Sequence, residues 1–211
     1  MQRYKNLTII GTSHISIESI NEIIDFVNNY KPEIIALELD PKRYLALTQG
    51  KKHDFRDIIK VGLKGYLINI IGAYIEKKLG KLVGVKPGSE MLTAINLAKK
   101  HNLKIALIDQ DILITLKKLT KISLKEKFKI IKDIILGLAF KKGEVIKVDL
   151  TKVPSQELIG KLVKKVKNAY PGVYNILIKE RNEIMAKALN KITNLNQDSK
   201  ILAVIGAGHE K

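Results

Sequence analysis

The sequence predicts an α/β protein with a central, mostly parallel β-sheet and helices on both of its faces. Short apolar runs of strand length alternate along the chain with longer stretches of helical periodicity. Two short runs, residues 7–10 and 201–205, are apolar except for Thr8, as parallel strands covered on both faces are. Each of these two runs leads into a glycine-containing phrase that ends in histidine, Gly11-Thr12-Ser13-His14 and Gly206-Ala207-Gly208-His209.

The first elements alternate between strand and helix. Residues 7–10 form the first strand, and Ser16 is the expected N-cap of a helix that ends before Pro32. Residues 33–37 form the second strand, and Glu38 lies at or just past its carboxyl end. This pattern is typical of a β-α-β unit.

The middle of the chain is predicted to be mainly helical. Pro41 fits the first turn of a helix, and a lysine-rich helical insertion follows over about residues 54–79. Ser89 is a plausible N-cap of a helix that ends near Lys100. A third strand over residues 103–108 then delivers Asp109-Gln110-Asp111 to a strand end.

The last third is predicted to return to the sheet after several helices. In chain order, the expected elements are a helix over 113–140, a loop or short strand over 141–154, helices over 155–168 and 171–192, and the strand over 201–205. No repeat or low-complexity linker divides the chain. Residues 1–211 are therefore predicted to be a single domain.

Composition limits the classes of site and of cell compartment. The chain has no cysteine, which excludes disulfides, thiolate metal ligands and a cysteine nucleophile. The first residues resemble no secretory signal, and no apolar window approaches the roughly 20 residues of a membrane-spanning helix. Any metal must therefore be held by His, Asp or Glu.

The strong positive charge invites a nucleic-acid interpretation, which the pattern does not favour. The 38 basic and 21 acidic residues give a formal net charge of +17. The lysines are spread over nearly every predicted helix, and no recognition helix or aromatic platform is present. A solvated, lysine-rich surface of the kind found in heat-adapted proteins explains the charge better, so no nucleic-acid partner is expected.

Three side chains at predicted strand ends form the candidate site. In parallel sheets, ligands collect at the carboxyl ends of the strands, where His14, Glu38 and His209 would converge. Two imidazoles and a carboxylate can hold a divalent metal such as Zn, Mn or Co, which would acidify a bound water. Alternatively, a histidine beside a carboxylate can take a proton from water directly. The alternative to a functional role is a structural one, in which each histidine only closes its turn through hydrogen bonds to the backbone.

The ordered series of motifs resembles the TraB (PrgY) family, which is related to the Tiki proteases and the erythromycin esterases. The series comprises both histidine phrases and, between them, Glu38-Leu39-Asp40-Pro41-Lys42-Arg43, Pro87-Gly88-Ser89-Glu90-Met91, Asp109-Gln110-Asp111 and Glu180-Arg181-Asn182. The resemblance implies a ChaN-like α/β fold and a metal-dependent hydrolase of the peptidase type. It assigns catalysis and metal binding to His14, Glu38 and His209. One position departs from the family, since Gln110 stands where members often have arginine.

The resemblance also implies a supporting set and a cellular setting. Arg43, Asp109, Glu180 and Arg181 would bind the substrate or support the site. Arg43 could clamp a substrate carboxylate or pair with Asp40 in the same turn, and Asp109 or Asp111 is the natural partner of a buried Arg181. Members usually continue into a C-terminal membrane region, so this domain is expected on the cytoplasmic side of a membrane. A peptide or small-molecule substrate is the expected partner, and a homodimer is compatible with these expectations. A non-enzymatic, membrane-tethered module that sequesters a ligand is the alternative function.

Overall fold

The computed structural model describes residues 1–13, 16–49, 86, 88–140 and 155–210 of the chain. Within these ranges it contains a five-stranded sheet with the order β1-β2-β5-β3-β4. The strands are β1 (Gln2–Tyr4), β2 (Leu7–Thr12), β3 (Ile34–Leu37), β4 (Lys104–Leu107) and β5 (Ile201–Gly206). Only the β1–β2 pair is antiparallel, and β2, β5, β3 and β4 run in the same direction. The prediction of a mostly parallel α/β sheet is confirmed.

The helices follow the strands in the predicted alternation. They are α1 (Ile17–Tyr30), α2 (Pro41–Gln49), α3 (Ser89–Lys100), α4 (Ile112–Leu119), α5 (Leu124–Phe140), α6 (Gln156–Ala169), α7 (Pro171–Tyr174) and α8 (Glu180–Leu195), with a π-helical segment (Asn175–Lys179) between α7 and α8. None of the helices in the described part of the chain combines the length and apolar character that crossing a bilayer requires.

The central strand β5 separates two apolar layers because its side chains alternate between the two faces of the sheet. Leu202 and Val204 pack with side chains of α1 and α3 on one face. Ala203 and Ile205 pack with Met185 and other side chains of α8 on the opposite face. Helices therefore cover both faces, as the largely apolar strands predict.

Two predicted helix starts are correct, and each has a side-chain cap. Ser16 accepts a hydrogen bond from the backbone N–H of Ser19 at the start of α1. At the start of α2, Asp40 Oδ1 accepts from the N–H groups of Lys42 and Arg43, at 2.8 and 3.3 Å. Pro41 takes the first helical position, as expected. This cap places Arg43 in the first turn of α2, shortly after Glu38.

Other sequence-based predictions need correction. The N-cap of α3 is Gly88 and not Ser89. Gly88 has a φ of 80°, which favours glycine. The Ser89 hydroxyl donates to Lys86 O at 2.6 Å. The helix predicted over 113–140 is two helices, and the Ser123 hydroxyl accepts from the N–H of Glu126 at the start of the second. Strand β1 was not predicted, because its three side chains are all exposed and carry no apolar signal.

The helical insertion predicted over 54–79 and the loop predicted over 141–154 lie outside the described residues. Glycines in the two histidine phrases fit tight turns with positive φ or a close backbone approach, and only the close approach applies in the structure. Gly88 is the one glycine with a positive φ in the described part of the chain, so Gly11 and Gly208 do not supply left-handed turns there. Close approach does apply to Gly11, where an added Cβ would overlap the carboxylate of Glu210 and lie 3.3 Å from Cα of Ala207.

Candidate functional site

The parallel strands bring three side chains to one edge of the sheet. Glu38 follows β3, Asp109 lies two residues after β4, and His209 ends the 3₁₀ turn Ala207–His209 after β5. Pairing extends past the strands, since the N–H of Asp109 donates to Leu39 O at 3.3 Å. Glu38 and Asp109 each have a side chain that is only 2% exposed, so two carboxylates are buried at this edge.

Arg181 joins these side chains and uses every donor of its guanidinium. Nε donates to Asp109 Oδ1 at 2.9 Å, and Nη2 donates to Asp109 Oδ2 at 2.7 Å and to Glu38 Oε1. Nη1 donates to Leu177 O and contacts His209 Nε2, each at 3.2 Å. These five contacts match the five N–H donors of an arginine. Arg181 therefore has no donor left for a substrate in this arrangement.

The charge of Arg181 is secured by its carboxylate partners. Burial alone would lower the pKa of the guanidinium, but the hydrogen bond to Asp109 and the negative charges of Glu38 and Asp109 raise the pKa overall. The side chain is 14% exposed. Asp109 was predicted as a natural partner of a buried Arg181, and this pairing is confirmed.

The position of Arg181 follows from the apolar stripe of α8. Met185 and Leu189 lie four and eight residues after Arg181 and pack on the sheet beneath α8. Residues at this spacing share one helix face, so the stripe that buries Met185 also points Arg181 toward the strand ends. The π-helical segment ends two residues before Arg181, and its Leu177 carbonyl accepts one guanidinium hydrogen.

Glu38 is held from two sides. The backbone N–H of Gly206 donates to Oε2, and Arg181 Nη2 donates to Oε1. Gly206 is the last residue of β5, so the carboxylate links the ends of two adjacent strands. The orientation of Glu38 is thereby fixed by backbone and side-chain donors together.

His209 is oriented through both ring nitrogens, and its side chain is 9% exposed. Nδ1 lies 2.5 Å from Asn182 Oδ1. Because a carbonyl oxygen only accepts, Nδ1 carries the proton and Nε2 keeps its lone pair. Nε2 lies 3.2 Å from Arg181 Nη1 and 3.4 Å from Glu38 Oε1. The imidazole is thus the tautomer whose Nε2 accepts a hydrogen bond from Arg181 Nη1.

Arg43 differs from Arg181 because much of its guanidinium is unused. Nη1 donates to Asp109 Oδ2 at 3.0 Å and to Glu38 O at 3.3 Å. The predicted alternative of a side-chain pair with Asp40 is wrong, since Asp40 receives only the backbone N–H of Arg43. The side chain is 33% exposed, and Nε and Nη2 have no hydrogen-bond partner among the described residues. That edge can bind a carboxylate with two parallel bonds.

The other predicted residues lie in different surroundings. Glu180 is 37% exposed and pairs with Lys118 at 2.6 Å, so its recorded partner is on α4 and not in the cluster around Arg181. His14 lies outside the described residues, which end at Ser13 and resume at Ser16. Gln110, at the position where family members often have arginine, is buried and donates to Thr115 Oγ1 at 2.9 Å.

Two residues of this region were not among the predicted site residues. Asn182 belongs to the motif around Arg181, and only the contact with His209 reveals its use. Glu210 follows His209 directly, and its side chain is 3% exposed. Its carboxylate accepts from Gln156 Nε2 and lies 3.5 Å from the N-terminal amino group. No sequence pattern distinguishes this glutamate from a solvated one.

A divalent metal does not fit between Glu38 and His209 while Arg181 is in place. A metal bound by both would lie about 2.1 Å from Nε2 and from a carboxylate oxygen. Both of these atoms already contact guanidinium nitrogens of Arg181, which would face the metal with like charge at close range. In the described ranges, no group of three or more His, Asp or Glu side chains is arranged to hold a metal.

Comparison with known proteins identifies relatives over nearly the whole chain. The model of the TraB/PrgY/gumN family matches residues 3–210. An uncharacterized protein of Methanocaldococcus jannaschii, MJ1365, is 38% identical over 211 residues, which cover 97% of this chain and 51% of that protein. TraB domain-containing proteins of Bos taurus and Homo sapiens are 21% and 19% identical, and each match covers 95% of this chain.

The chain spans only part of the length of these relatives, between 51% and 60% of each. The family match runs from the second residue of β1 to the residue after His209, and thus includes β2 to β5 and every described side chain of the candidate site. The chain therefore belongs to the TraB/PrgY/gumN family.

Proposed function

We propose that the chain is a hydrolase of the TraB/Tiki type that cleaves a peptide, or a related amide or ester, at the carboxyl ends of β3, β4 and β5. The buried cluster of Glu38, Asp109, Arg181 and His209 carries this proposal. Burying charged groups costs free energy even when they are paired, and an apolar cluster would stabilise a sheet end as well. Such a cluster at strand ends is typical of a functional site.

In the proposed reaction, His209 takes a proton from the water that attacks the substrate carbonyl, and returns it to the leaving nitrogen or oxygen as the C–N or C–O bond breaks. Asn182 holds the Nδ1 proton, and the Nε2 lone pair becomes available for this step when the water replaces the contact with Arg181 Nη1. Glu38 Oε1, 3.4 Å from Nε2, balances the positive charge that the imidazole gains. His14 remains a candidate for the same role in this proposal. Because Arg181 excludes a metal from the Glu38–His209 pair, no step is assigned to a metal there.

Arg43 is the proposed contact to the substrate. Its Nε and Nη2 donors are the ones left for an anionic group, whereas Arg181 donates all of its hydrogens to the protein. A substrate carboxylate, or the negative oxygen that forms on the attacked carbonyl, would bind at this edge. Of the two arginines expected to bind the substrate or support the site, Arg43 is thus assigned the substrate contact and Arg181 the supporting role.

The test uses pairs of variants that change the same residue type inside and outside the site. Protein is incubated with a mixture of short peptides having free or amidated C-termini, and fragments are followed by mass spectrometry. Glu38→Gln and His209→Gln should lose cleavage by at least about 100-fold, the usual contribution of acid–base groups. Glu33→Gln, at the opposite end of β3, and His101→Gln, at the exposed C-cap of α3, should cleave as wild type does.

A sequestering module is the second candidate, and the complete pairing of Arg181 favours it. A guanidinium with all donors satisfied, between carboxylates that are 2% exposed, is what a rigid binding wall would also contain. Sequestration predicts saturable, stoichiometric loss of a ligand that is recovered intact after denaturation. Turnover with fragments, lost in Glu38→Gln, would reject this candidate.

We propose in addition that the domain works on the cytoplasmic side of a membrane, as part of a longer protein. The net charge of +17 supports this, because basic segments near a membrane are retained on that side. Fractionation of cells that produce the full-length protein, with protease protection of the domain, tests the location.

A further inference from the structure

We propose that Arg181 is the resident cation of this site: its guanidinium lies between Glu38 and His209, where His–carboxylate hydrolases hold a divalent metal, and it keeps a metal from that pair. Arg181 is then a positioning residue that fixes Glu38, Asp109 and His209 relative to one another. The inference rests on the proposed function for its meaning, but its test measures metal binding and needs no activity.

The first step is geometric. Nη1 of Arg181 is 3.2 Å from His209 Nε2, and Nη2 contacts Glu38 Oε1, while Nε2 and Oε1 are themselves 3.4 Å apart. Two ligand atoms at that separation could both reach a metal with bonds of about 2.1 Å. The guanidinium contacts both of these atoms, so the same two lone pairs would have to serve the metal and Arg181.

The second step concerns how firmly Arg181 is held. Asp109 accepts two parallel hydrogen bonds, at 2.9 and 2.7 Å, and Leu177 O accepts a third. Met185 and Leu189 anchor the same helix face against the sheet. Moving the guanidinium aside for a metal would leave Asp109 with one remaining partner guanidinium, that of Arg43. The position of the Arg181 guanidinium is therefore stabilised by Asp109 and by Leu177 O, whose hydrogen bonds a metal bound to Glu38 would not restore.

The third step concerns charge. Glu38 and Asp109 supply two negative charges, and Arg181 and Arg43 supply two positive charges in direct contact with them. A divalent ion would leave this buried group with an excess of positive charge, which a low-dielectric site disfavours. The guanidinium pair thus already balances the two carboxylates.

The experiment compares metal binding by wild type and by a variant designed to remain folded without the guanidinium. Arg181→Ala alone would leave two buried carboxylates short of a partner, so Asp109→Asn is added to remove one of the charges. Zn²⁺ and Mn²⁺ are titrated by calorimetry into untagged protein, and thermal midpoints with and without metal confirm that each variant is folded. Arg3→Ala and Asp109→Asn alone are the controls.

In wild type and in both controls, we expect no metal binding that is lost when His209 is replaced by alanine. The Arg181→Ala/Asp109→Asn variant should gain at least about tenfold in affinity, and adding His209→Ala should remove the gain. Guanidinium chloride at a non-denaturing concentration should compete with the metal in this variant, whereas tetramethylammonium chloride should not. Such competition would show that the guanidinium ion and the metal bind at the same position.

Two results would overturn the proposal. One is about one equivalent of metal on wild type that is lost in both His209→Ala and Glu38→Gln. The other is a folded Arg181→Ala/Asp109→Asn variant that gains no affinity for metal. Neither result bears on whether peptides are cleaved, so the hydrolase proposal stands or fails on the fragment assay independently.

Discussion

At the scale of single residues, Arg181 has the largest expected effect on stability. It is the guanidinium shared by Glu38 and Asp109, both 2% exposed. Arg181→Met should lower the free energy of unfolding by about 3–5 kcal/mol, since removing one partner of a buried ion pair leaves an uncompensated charge. Urea denaturation followed by circular dichroism measures this. Arg3→Met, whose guanidinium lies over the exposed face of Tyr30, should change it by less than about 1 kcal/mol. Similar losses in both variants would contradict the role of the cluster.

A second residue-scale prediction concerns Glu22 on α1. Burial raises the pKa of this carboxyl above its ordinary value of 4.5, and Glu18 and Glu210 raise it further against the lowering effect of the N-terminal amino group. The folded protein therefore binds this proton more tightly than the unfolded chain. The contribution of Glu22 to stability falls as pH rises from 4.5 through the pKa of the folded state.

Glu22→Gln should consequently raise the thermal midpoint at pH 7 by about 1 °C, a small shift because the side chain is only partly buried and solvent screens it. The difference from wild type should vanish at about pH 3, where both states hold the proton. Differential scanning calorimetry at several pH values measures it. Glu18→Gln, an exposed change in the first turn of α1, should give no increase.

At the scale of elements, the contact between β2 and the turn after β5 depends on Gly11. A Cβ at Gly11 would overlap the Glu210 carboxylate, which is enclosed by Gln156 and the N-terminal amino group. Gly11→Ala should therefore destabilise the protein by about 1–3 kcal/mol, the usual effect of overpacking. Gly208→Ala, with no atom within 4 Å of its added Cβ, should be tolerated within about 0.5 kcal/mol. Equal thermal midpoints for the two variants would show that the turn accommodates the added methyl group at Gly11 without loss of stability.

The elements also show what the sequence could and could not predict. Periodicity and caps predicted the parallel strands and most helices, because each depends on neighbouring residues. The pairing of Arg181 with Asp109 was also foreseeable, since a buried arginine on a helix needs a carboxylate and Asp109 follows a strand. The complete hydrogen bonding of the Arg181 guanidinium could not be predicted, because its five contacts come from four separate segments of the chain. Glu210 was missed for the same reason, as only the folded contacts show its burial.

At the scale of the whole molecule, the net charge of +17 makes repulsion among surface lysines a general cost of folding. The thermal midpoint should rise by several degrees between about 20 mM and about 300 mM KCl, because salt screens exposed charges. Scanning fluorimetry across this range measures the effect. Lys164→Glu/Lys165→Glu, on the exposed side of α6, should reduce the salt dependence. A midpoint that falls with added salt would show that attractive ion pairs outweigh the repulsion.

The central place of β5 also has a consequence for how the molecule forms. Residue 7 pairs with residue 201, and residue 34 pairs with the same residue from the other side. Contacts between such distant segments form slowly, since a long loop must close first. Until β5 enters, β2 and β3 have no shared neighbour to fix their spacing. The same strand delivers the Gly206 N–H that holds Glu38, and His209 directly after it. Entry of β5 into the sheet therefore completes the sheet and the candidate site together.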